Sequence, residues 1–232
     1  MKRVSVTTLE KFRRYLVEAS PFDTEENLIQ SLRGLFFGND KTKTGSAYHK
    51  IIEGDYQQEN GIVFVTSDKL RFAFTKQQAA PALAFRQAHP GMTSEVDVKQ
   101  VYETNYGPIQ VNGRVDVLEG ATCRDVKTLY RSLSASEYTD SIQWKFYCDM
   151  LGIDQFYYDV FEFRGFKELP SAEVLYVGKD VDVIYHDPIG CLWYPEAKYE
   201  CQTLLNLFLE YIDNRNFFHL LKPAVAEPEL NF

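Results

Sequence analysis

Three strand-prone runs follow one another in the middle of this 232-residue chain. They extend from Glu95 to Tyr106, from Ile109 to Leu118 and from Ala121 to Thr128, and Glu119-Gly120 is a turn signal between the last two. Connections this short join antiparallel neighbours, because parallel strands need a crossover of about a dozen residues or more. The sequence therefore predicts an antiparallel meander at the centre of the fold.

Helical patterns precede the meander. Thr8 is expected to cap a helix over about residues 9–19, which Pro21 ends. The apolar face of this helix comprises Leu9, Phe12, Leu16 and Val17. A second helix is predicted to start at Asp23-Thr24-Glu25-Glu26, because acids favour a first helical turn. Its apolar stripe comprises Leu28, Ile29, Leu32, Leu35 and Phe36.

The next segment changes its periodicity before the meander begins. Residues 41–45 are predicted to form a basic connector, and residues 46–54 a short third helix that carries His49. Residues 61–66 and 70–75 are expected to be two neighbouring strands. A further Ala-rich helix is predicted at residues 77–88.

Beyond the meander, helical and strand patterns alternate. Ser136-Glu137 is expected to open a helix that runs to about Leu151 and is closed by Gly152. Strands are predicted at 156–163, 172–177 and 181–186, a last helix at 196–214 and a loosely held tail at 223–232. This order indicates an α+β or mixed α/β core. With 45% hydrophobic residues and no linker pattern, the chain is predicted to form a single domain over residues 1–232.

The sequence argues against a membrane-spanning protein and against a disulfide-bonded protein. No apolar run approaches the ~20 residues that span a bilayer, and the N-terminal residues contain no apolar signal core. We therefore expect a cytoplasmic protein without a membrane partner. The chain has four cysteines without a CxxC pair, which is typical of reduced structural residues: Cys123, Cys148, Cys191 and Cys201.

Two acids and a lysine in the meander form the main chemical pattern. Asp125 and Lys127 are two residues apart on one strand, so their side chains share a face. Asp116 on the preceding strand lies between two valines, where an unpaired acid is costly. Carboxylates of this kind hold Mg²⁺ or Mn²⁺, and a lysine beside them can orient or deprotonate water or stabilise a pentacoordinate phosphate. The alternative is a hairpin with a salt bridge, because isolated strings of this type are common by chance.

Additional residues could complete a metal site. His49 on the predicted third helix is a candidate ligand, although a lone histidine is more often structural. Glu95 opens the strand before that of Asp116 and could reach the same metal, or remain a solvated acid. Gln143 and Tyr147 are four residues apart on one predicted helix face, where they could contact DNA or pack in the core.

In order, these motifs are GxxxH, E, GRVD, DVK and QxxxY, between Gly45 and Gly152. Together they resemble the PD-(D/E)XK nuclease superfamily and are most similar to its RecB-like and lambda-exonuclease-like branch. The resemblance covers about half of the chain. It implies a restriction-endonuclease-like core at about residues 44–190, with a central mixed β-sheet flanked by helices. N-terminal helices at 7–38 and a C-terminal helix at 196–214 would be added to this core.

The resemblance also implies a role for each matching residue. The metal, Mg²⁺ or Mn²⁺, would be bound by His49, Asp116, Asp125 and the Val126 carbonyl, with assistance from Glu95. Lys127 would be the catalytic lysine, and Gln143 and Tyr147 would support the active site and the DNA. Some RecB-like nucleases hold an iron–sulfur cluster on four bracketing cysteines, but here no cysteine precedes Cys123, so no cluster is expected.

The implied function is a metal-dependent DNA exonuclease of phage or bacterial recombination and repair. Its expected partners are DNA, a recombinase or single-strand annealing protein, and further copies of the chain. The net charge of −8 means that basic residues must be concentrated to bind DNA. The candidates are Lys41, Lys43, Arg131 and Lys145. An endonuclease, a non-catalytic nucleic-acid-binding module and an aromatic-rich small-ligand-binding protein are the alternatives.

Overall fold

The structure is a computed structural model that describes residues 1–35 and 38–224. Phe36 of the predicted apolar stripe and residues 225–232 of the predicted tail lie outside the described residues. The helices are α1 (Val6–Leu16), α2 (Glu25–Leu32), α3 (Asp40–Glu53), α4 (Lys76–Ala88), α5 (Ala135–Thr139), α6 (Gln143–Leu151) and α7 (Glu196–Asn214), with a 3-10 turn at Phe218–Leu220. The strands are β1 (Lys2–Ser5), β2 (Gln57–Glu59), β3 (Ile62–Ser67), β4 (Leu70–Thr75), β5 (Thr93–Thr104), β6 (Gly107–Glu119), β7 (Thr122–Leu129), β8 (Gln155–Arg164), β9 (Val174–Tyr176), β10 (Asp182–Tyr185), β11 (Ile189–Leu192) and β12 (Lys222–Pro223).

A large mixed sheet organises the described residues. Its strands follow the order β10-β8-β7-β6-β1-β12, with β5 paired to β6 and β11 paired to β8. Strands β5, β6 and β7 pair antiparallel, which confirms the predicted meander. The pairs β7–β8 and β1–β6 are parallel, so the sheet is mixed. A smaller sheet has the order β2-β3-β4-β9.

Two hydrophobic cores lie against opposite faces of the large sheet, as the alternation along β8 illustrates. Tyr158 and Val160 belong to the core that contains residues of α1, α6 and α7, whereas Phe161 and Phe163 belong to the core of α3, α4 and the small sheet. Helices therefore cover both faces, and the fold is a mixed α and β architecture.

The N-terminal helix differs from its prediction at both ends. Residues 2–5 form β1, which pairs with β6, so α1 begins at Val6 and its cap is Ser5 rather than Thr8. The Ser5 hydroxyl accepts from the Thr8 amide at 3.1 Å. The helix ends at Leu16, well before Pro21, and Leu16 and Val17 are 48% and 60% exposed instead of buried. The register is set by pairing with a strand about a hundred residues away in sequence, which local patterns do not contain.

The predicted basic connector at residues 41–45 is wrong, because these residues are helical. Asn39 caps α3, and its side-chain oxygen accepts from the Thr42 amide at 3.0 Å. The helix therefore starts at Asp40 and places Lys41, Lys43 and His49 on one continuous element.

The predicted helix over residues 136–151 is divided into α5 and α6. The break follows from a tertiary contact, since the Ile142 amide donates to the Glu10 carboxylate of α1 at 2.8 Å. In contrast, α7 has the predicted bounds 196–214. The short strands β2, β11 and β12 were not predicted, because two to four residues carry too little periodicity.

Gly113 allows α6 to pack closely on β6. A Cβ atom at this position would lie 2.4 Å from Cε1 of the Tyr147 ring. We therefore expect Gly113→Ala to lower the free energy of unfolding by about 1–3 kcal/mol, measured by chemical denaturation. Gly91→Ala is the matched control, because its nearest neighbour, a Glu119 carboxylate oxygen, is 3.9 Å away. Equal stability of the two variants would contradict this packing.

Candidate active site

The backbone ladder between β6 and β7 stops at the two predicted acids. Its last pairs are Glu119 with Thr122, Leu118 with Cys123 and Val117 with Arg124. The next pair in this register would set Asp116 opposite Asp125, and like charges in directly opposed positions destabilise a ladder. Beyond this point β6 pairs with β1, while β7 continues beside β8. A gap therefore opens between the two central strands with one carboxylate on each side.

Asp116 spans part of this gap with its side chain. Its Oδ2 atom accepts a hydrogen bond from the backbone amide of Val126 at 2.8 Å. This contact satisfies an amide that the interrupted ladder leaves without a partner from β6, and it fixes the carboxylate against β7.

Asp125, Lys127 and Gln143 form a closed triangle on the α6 side of the gap. The Lys127 Nζ atom lies 2.5 Å from Asp125 Oδ2. Gln143 donates through Nε2 to Asp125 Oδ1 at 3.1 Å and accepts from Lys127 Nζ at 3.3 Å. Gln143 thus orients both partners of the ion pair. The structure therefore brings these three candidate site residues into contact.

His49 approaches the gap from α3. Its Nδ1 atom is 3.8 Å from Asp116 Oδ2, which is longer than a hydrogen bond. The helix can lie this close to β7 because Gly45 faces Thr128, where a Cβ atom would be 2.4 Å from the Thr128 hydroxyl oxygen. The two glycines of the GxxxH and GRVD motifs, Gly45 and Gly113, are therefore close-approach positions for α3 and α6.

Tyr147 supports β6 from within the core. Its ring is buried, and its hydroxyl donates to the Arg114 carbonyl oxygen at 2.9 Å. Because this hydroxyl is committed to the backbone, Tyr147 holds the strand that carries Asp116. A direct contact with DNA, which the sequence left open, is not supported by this burial.

Glu95 lies beside the gap but is held away from it. It has a left-handed backbone with φ of +57°, and the β5–β6 ladder skips it between Ser94 and Val96. Its carboxylate pairs with the Arg114 guanidinium at 3.2 Å. Its negative charge still raises the pKa of Asp116. Glu95 therefore acts on the site through its charge at this geometry.

Glu53 is a neighbour of the site that the sequence analysis missed. It lies one turn after His49 on α3. Its charge adds to the burial that raises the pKa of Asp116 and opposes the burial that lowers the pKa of His49. The i, i+4 spacing from His49 was a usable signal.

Burial sets the protonation equilibria of the site. Desolvation raises the pKa of Asp116 to about 6 and that of Asp125 to about 6, against the opposing effect of Lys127. Burial also lowers the pKa of His49, which favours the neutral imidazole that binds metals. For Lys127, desolvation is outweighed by Asp125 and Asp116, so its pKa is raised and it carries its charge.

The side chains around the gap carry the kinds of atoms that bind divalent cations. Asp116 and Asp125 offer the carboxylate oxygens that Mg²⁺ and Mn²⁺ prefer, and His49 adds a neutral imidazole nitrogen, a ligand more typical of transition metals than of Mg²⁺. Asp125 Oδ2 is buried and accepts no hydrogen bond of good geometry, so it has capacity for a ligand, although the Lys127 ammonium lies beside it. Within residues 1–35 and 38–224, no three histidine, cysteine, aspartate or glutamate side chains converge on one point.

The predicted DNA-contacting residues differ in availability. Lys145 is only 9% exposed and its Nζ atom lies 2.5 Å from a Glu200 carboxylate oxygen, so this geometry does not support its predicted contact with DNA. Arg131 is exposed and pairs with Glu137. Lys41 is exposed over the Tyr130 ring at 5.8 Å, and Lys43 lies 3.9 Å from Asp40.

Comparisons with known proteins do not show which family this chain belongs to, so its function is argued from the geometry of the site. No family model matches the chain, and no curated protein matches it. A solved structure described as the crystal structure of SSO0001 is similar, with 11% identity over 98% of this chain and 88% of that chain. Its TM-score of 0.43 is too low to carry an argument. Among the described residues, no helix is long and apolar enough to cross a membrane.

The raised pKa of Asp116 predicts a pH-dependent stability of the metal-free protein. The folded pKa of about 6 lies above the unfolded value of about 4, so the folded state binds the proton more tightly. The free energy of unfolding should therefore fall as pH rises from about 4 to about 7. Asp116→Asn should remove about 2–3 kcal/mol of this fall, measured by denaturation in the presence of a chelator.

Asp97→Asn is the matched control on the neighbouring strand. Hydrogen bonding to Arg114 lowers the pKa of Asp97, so its charge is favoured by folding and this variant should lose stability near neutral pH. If Asp116→Asn behaved like Asp97→Asn, Asp116 would not be a desolvated carboxylate.

Proposed function

We propose that this chain is a metal-dependent DNA nuclease with a restriction-endonuclease-like core of the PD-(D/E)XK type. The proposal is carried by one observation, the gap between β6 and β7 that is bordered by Asp116 and Asp125 with Lys127 paired to the second acid. The order of the surrounding motifs, which resembles the RecB-like and lambda-exonuclease-like branch, supports the same conclusion. The reaction is hydrolysis of phosphodiester bonds.

Asp116, Asp125 and His49 would hold Mg²⁺ or Mn²⁺, with the Val126 carbonyl as a further ligand. The Val126 amide points to Asp116, and the N–H and C=O of one strand residue face the same side, so this carbonyl also faces the gap. When bound, the cation supplies activation of water and neutralisation of phosphate charge. Glu95 would take part only after release from Arg114, or by its charge.

Lys127 contributes a fixed positive charge to the site. Gln143 holds its ammonium group beside Asp125, where the group can donate hydrogen bonds to a water molecule or to a phosphate oxygen. Because its pKa is raised while Asp125 is ionised, Lys127 acts as a donor and not as the proton acceptor in this pairing.

The DNA is expected to approach along the N-terminal end of α3. Lys41 is exposed there, and the Tyr130 hydroxyl donates to the Lys41 carbonyl, which links this helix to the segment after β7. Arg131 follows in the same segment and could exchange Glu137 for a phosphate. The salt dependence of DNA binding scales with the number of phosphates neutralised, so binding through so few basic residues should weaken only modestly as salt rises.

Substitution of the charged residues tests the proposal directly. We expect wild-type protein with Mg²⁺ or Mn²⁺ to degrade DNA, and Lys127→Ala and Asp116→Asn to reduce the rate about 10²–10³-fold or more. Each variant should remain folded, because Lys127→Ala removes one surface-facing ion pair and Asp116→Asn keeps an oxygen that can accept from the Val126 amide. The measurement is release of acid-soluble nucleotides at saturating metal.

Lys198→Ala is the matched control, since this lysine is exposed on α7 and α7 carries none of the proposed site residues. It should retain full activity. DNA binding without cleavage by the wild type, unchanged in Lys127→Ala, would instead assign a non-catalytic nucleic-acid-binding module.

The mode of digestion provides a separate test. As an exonuclease of phage or bacterial recombination and repair, the protein should degrade linear DNA and leave covalently closed circles intact. Conversion of the circle to nicked or linear forms, abolished by Lys127→Ala, would assign an endonuclease of the same fold. Inclusion of a recombinase or single-strand annealing protein would then test the proposed partners.

A further inference from the structure

The first turn of α6 is capped by a carboxylate from another helix. Gln143 is the first residue of α6, and Ile142 before it supplies no side-chain cap. Instead, the Ile142 amide donates to Glu10 Oε2 at 2.8 Å, and the Ser141 hydroxyl donates to the same oxygen at 3.0 Å. A negative charge is favoured at this end of a helix, where amides have no helical partner.

Glu10 is itself held in a single orientation. Arg13, one turn later on α1, donates through Nη2 to Oε1 at 2.7 Å and through Nε to both carboxylate oxygens at 3.1 and 3.2 Å. Both side chains are largely buried. A two-point contact with a guanidinium fixes the plane of a carboxylate, so Glu10 presents Oε2 to α6 in a defined position.

A chain of hydrogen bonds leads from Glu10 to the ion pair of Asp125 and Lys127. The Ser141 hydroxyl donates a hydrogen bond to the Glu10 carboxylate. The same hydroxyl accepts a hydrogen bond from the backbone amide of Gln143 at 3.1 Å. The Gln143 side chain then bridges Asp125 and Lys127.

We propose that Glu10 is a positioning residue of the active site, which fixes the start of α6 so that Gln143 holds Asp125 and Lys127 in their relative orientation. Its kinetic consequence rests on the proposed nuclease function. Glu10 touches none of the reacting groups and acts through Gln143 alone. The fold does not depend on it, because Leu9 and Phe12 anchor α1 and Phe146 anchors α6 in the core.

A mutant cycle in the full-length protein tests this role. With linear double-stranded DNA and saturating Mg²⁺, we expect Glu10→Ala to lower kcat about 10-fold and to change KM less than about 2-fold. Glu10→Gln keeps an oxygen for the Ile142 amide and should recover kcat to within about 3-fold of wild type. The double variant Glu10→Ala/Gln143→Ala should be no slower than Gln143→Ala alone, because both changes remove one interaction.

Lys11→Ala is the matched control, since Lys11 lies on the same helix as Glu10 and its ammonium group donates to the Ser31 hydroxyl of α2 at 3.1 Å. It should leave kcat unchanged. Additive effects of Glu10→Ala and Gln143→Ala, or an equal loss in Lys11→Ala, would overturn the proposal by indicating a general structural effect.

A readout without catalysis separates this proposal from the nuclease assignment. In metal-free protein, the side-chain amide signals of Gln143 in ¹H–¹⁵N spectra should be distinct from those of a free glutamine. They should move towards the free values in Glu10→Ala and remain near wild type in Glu10→Gln and Lys11→Ala. Unchanged signals in Glu10→Ala would overturn the positioning role even if the enzyme is active. A wild type without nuclease activity would refute only the proposed function.

Discussion

The hydrogen bond from the Val126 amide to the Asp116 carboxylate joins the two central strands where their ladder ends. An unpaired buried amide costs about 1–3 kcal/mol, so the side chain takes over from a backbone partner at this point. Because Asp116 closes the contact, β6 can diverge to pair with β1 while β7 stays beside β8. The gap between the strands, and with it the candidate site, depends on the Asp116 side chain taking the place of a backbone hydrogen-bond partner.

The charges around the gap are not balanced by the protein alone. Two desolvated carboxylates face one lysine, and the pKa values of both acids are raised as a result of their burial. Burying an ionisable carboxylate lowers the stability of the fold, and most buried positions would be more stable with a neutral residue. Buried groups with shifted pKa values are therefore concentrated at functional sites. Lys127 offsets part of the negative charge and Gln143 fixes its position. The remaining negative charge is what a divalent cation would neutralise, and Glu10 contributes to the same arrangement from a distance.

Local patterns predicted the elements whose causes are local. The meander and α7 agree with the sequence, because alternation and a long amphipathic stripe determine them. The residues of the triangle contact one another, and His49 lies near Asp116, since their motifs follow one another on adjoining elements. The start of α1 and the break before α6 depend on β6 and on Glu10, more than a hundred residues away, and no local pattern records such contacts. For the same reason, local patterns did not indicate that Lys145 is buried against Glu200 on another helix. Nor did they indicate the contact of Glu10 with the start of α6.

We infer that the interrupted β6–β7 ladder creates a binding site for a divalent cation between Asp116 and Asp125. Anomalous diffraction from crystals containing Mn²⁺ tests it most directly. We expect an anomalous peak within about 2.5 Å of carboxylate oxygens from both acids, and its loss in Asp116→Asn crystals of the same form. Absence of a peak in the gap at saturating Mn²⁺, or a peak only at a different carboxylate–histidine pair such as Glu162 with His186, would refute this site.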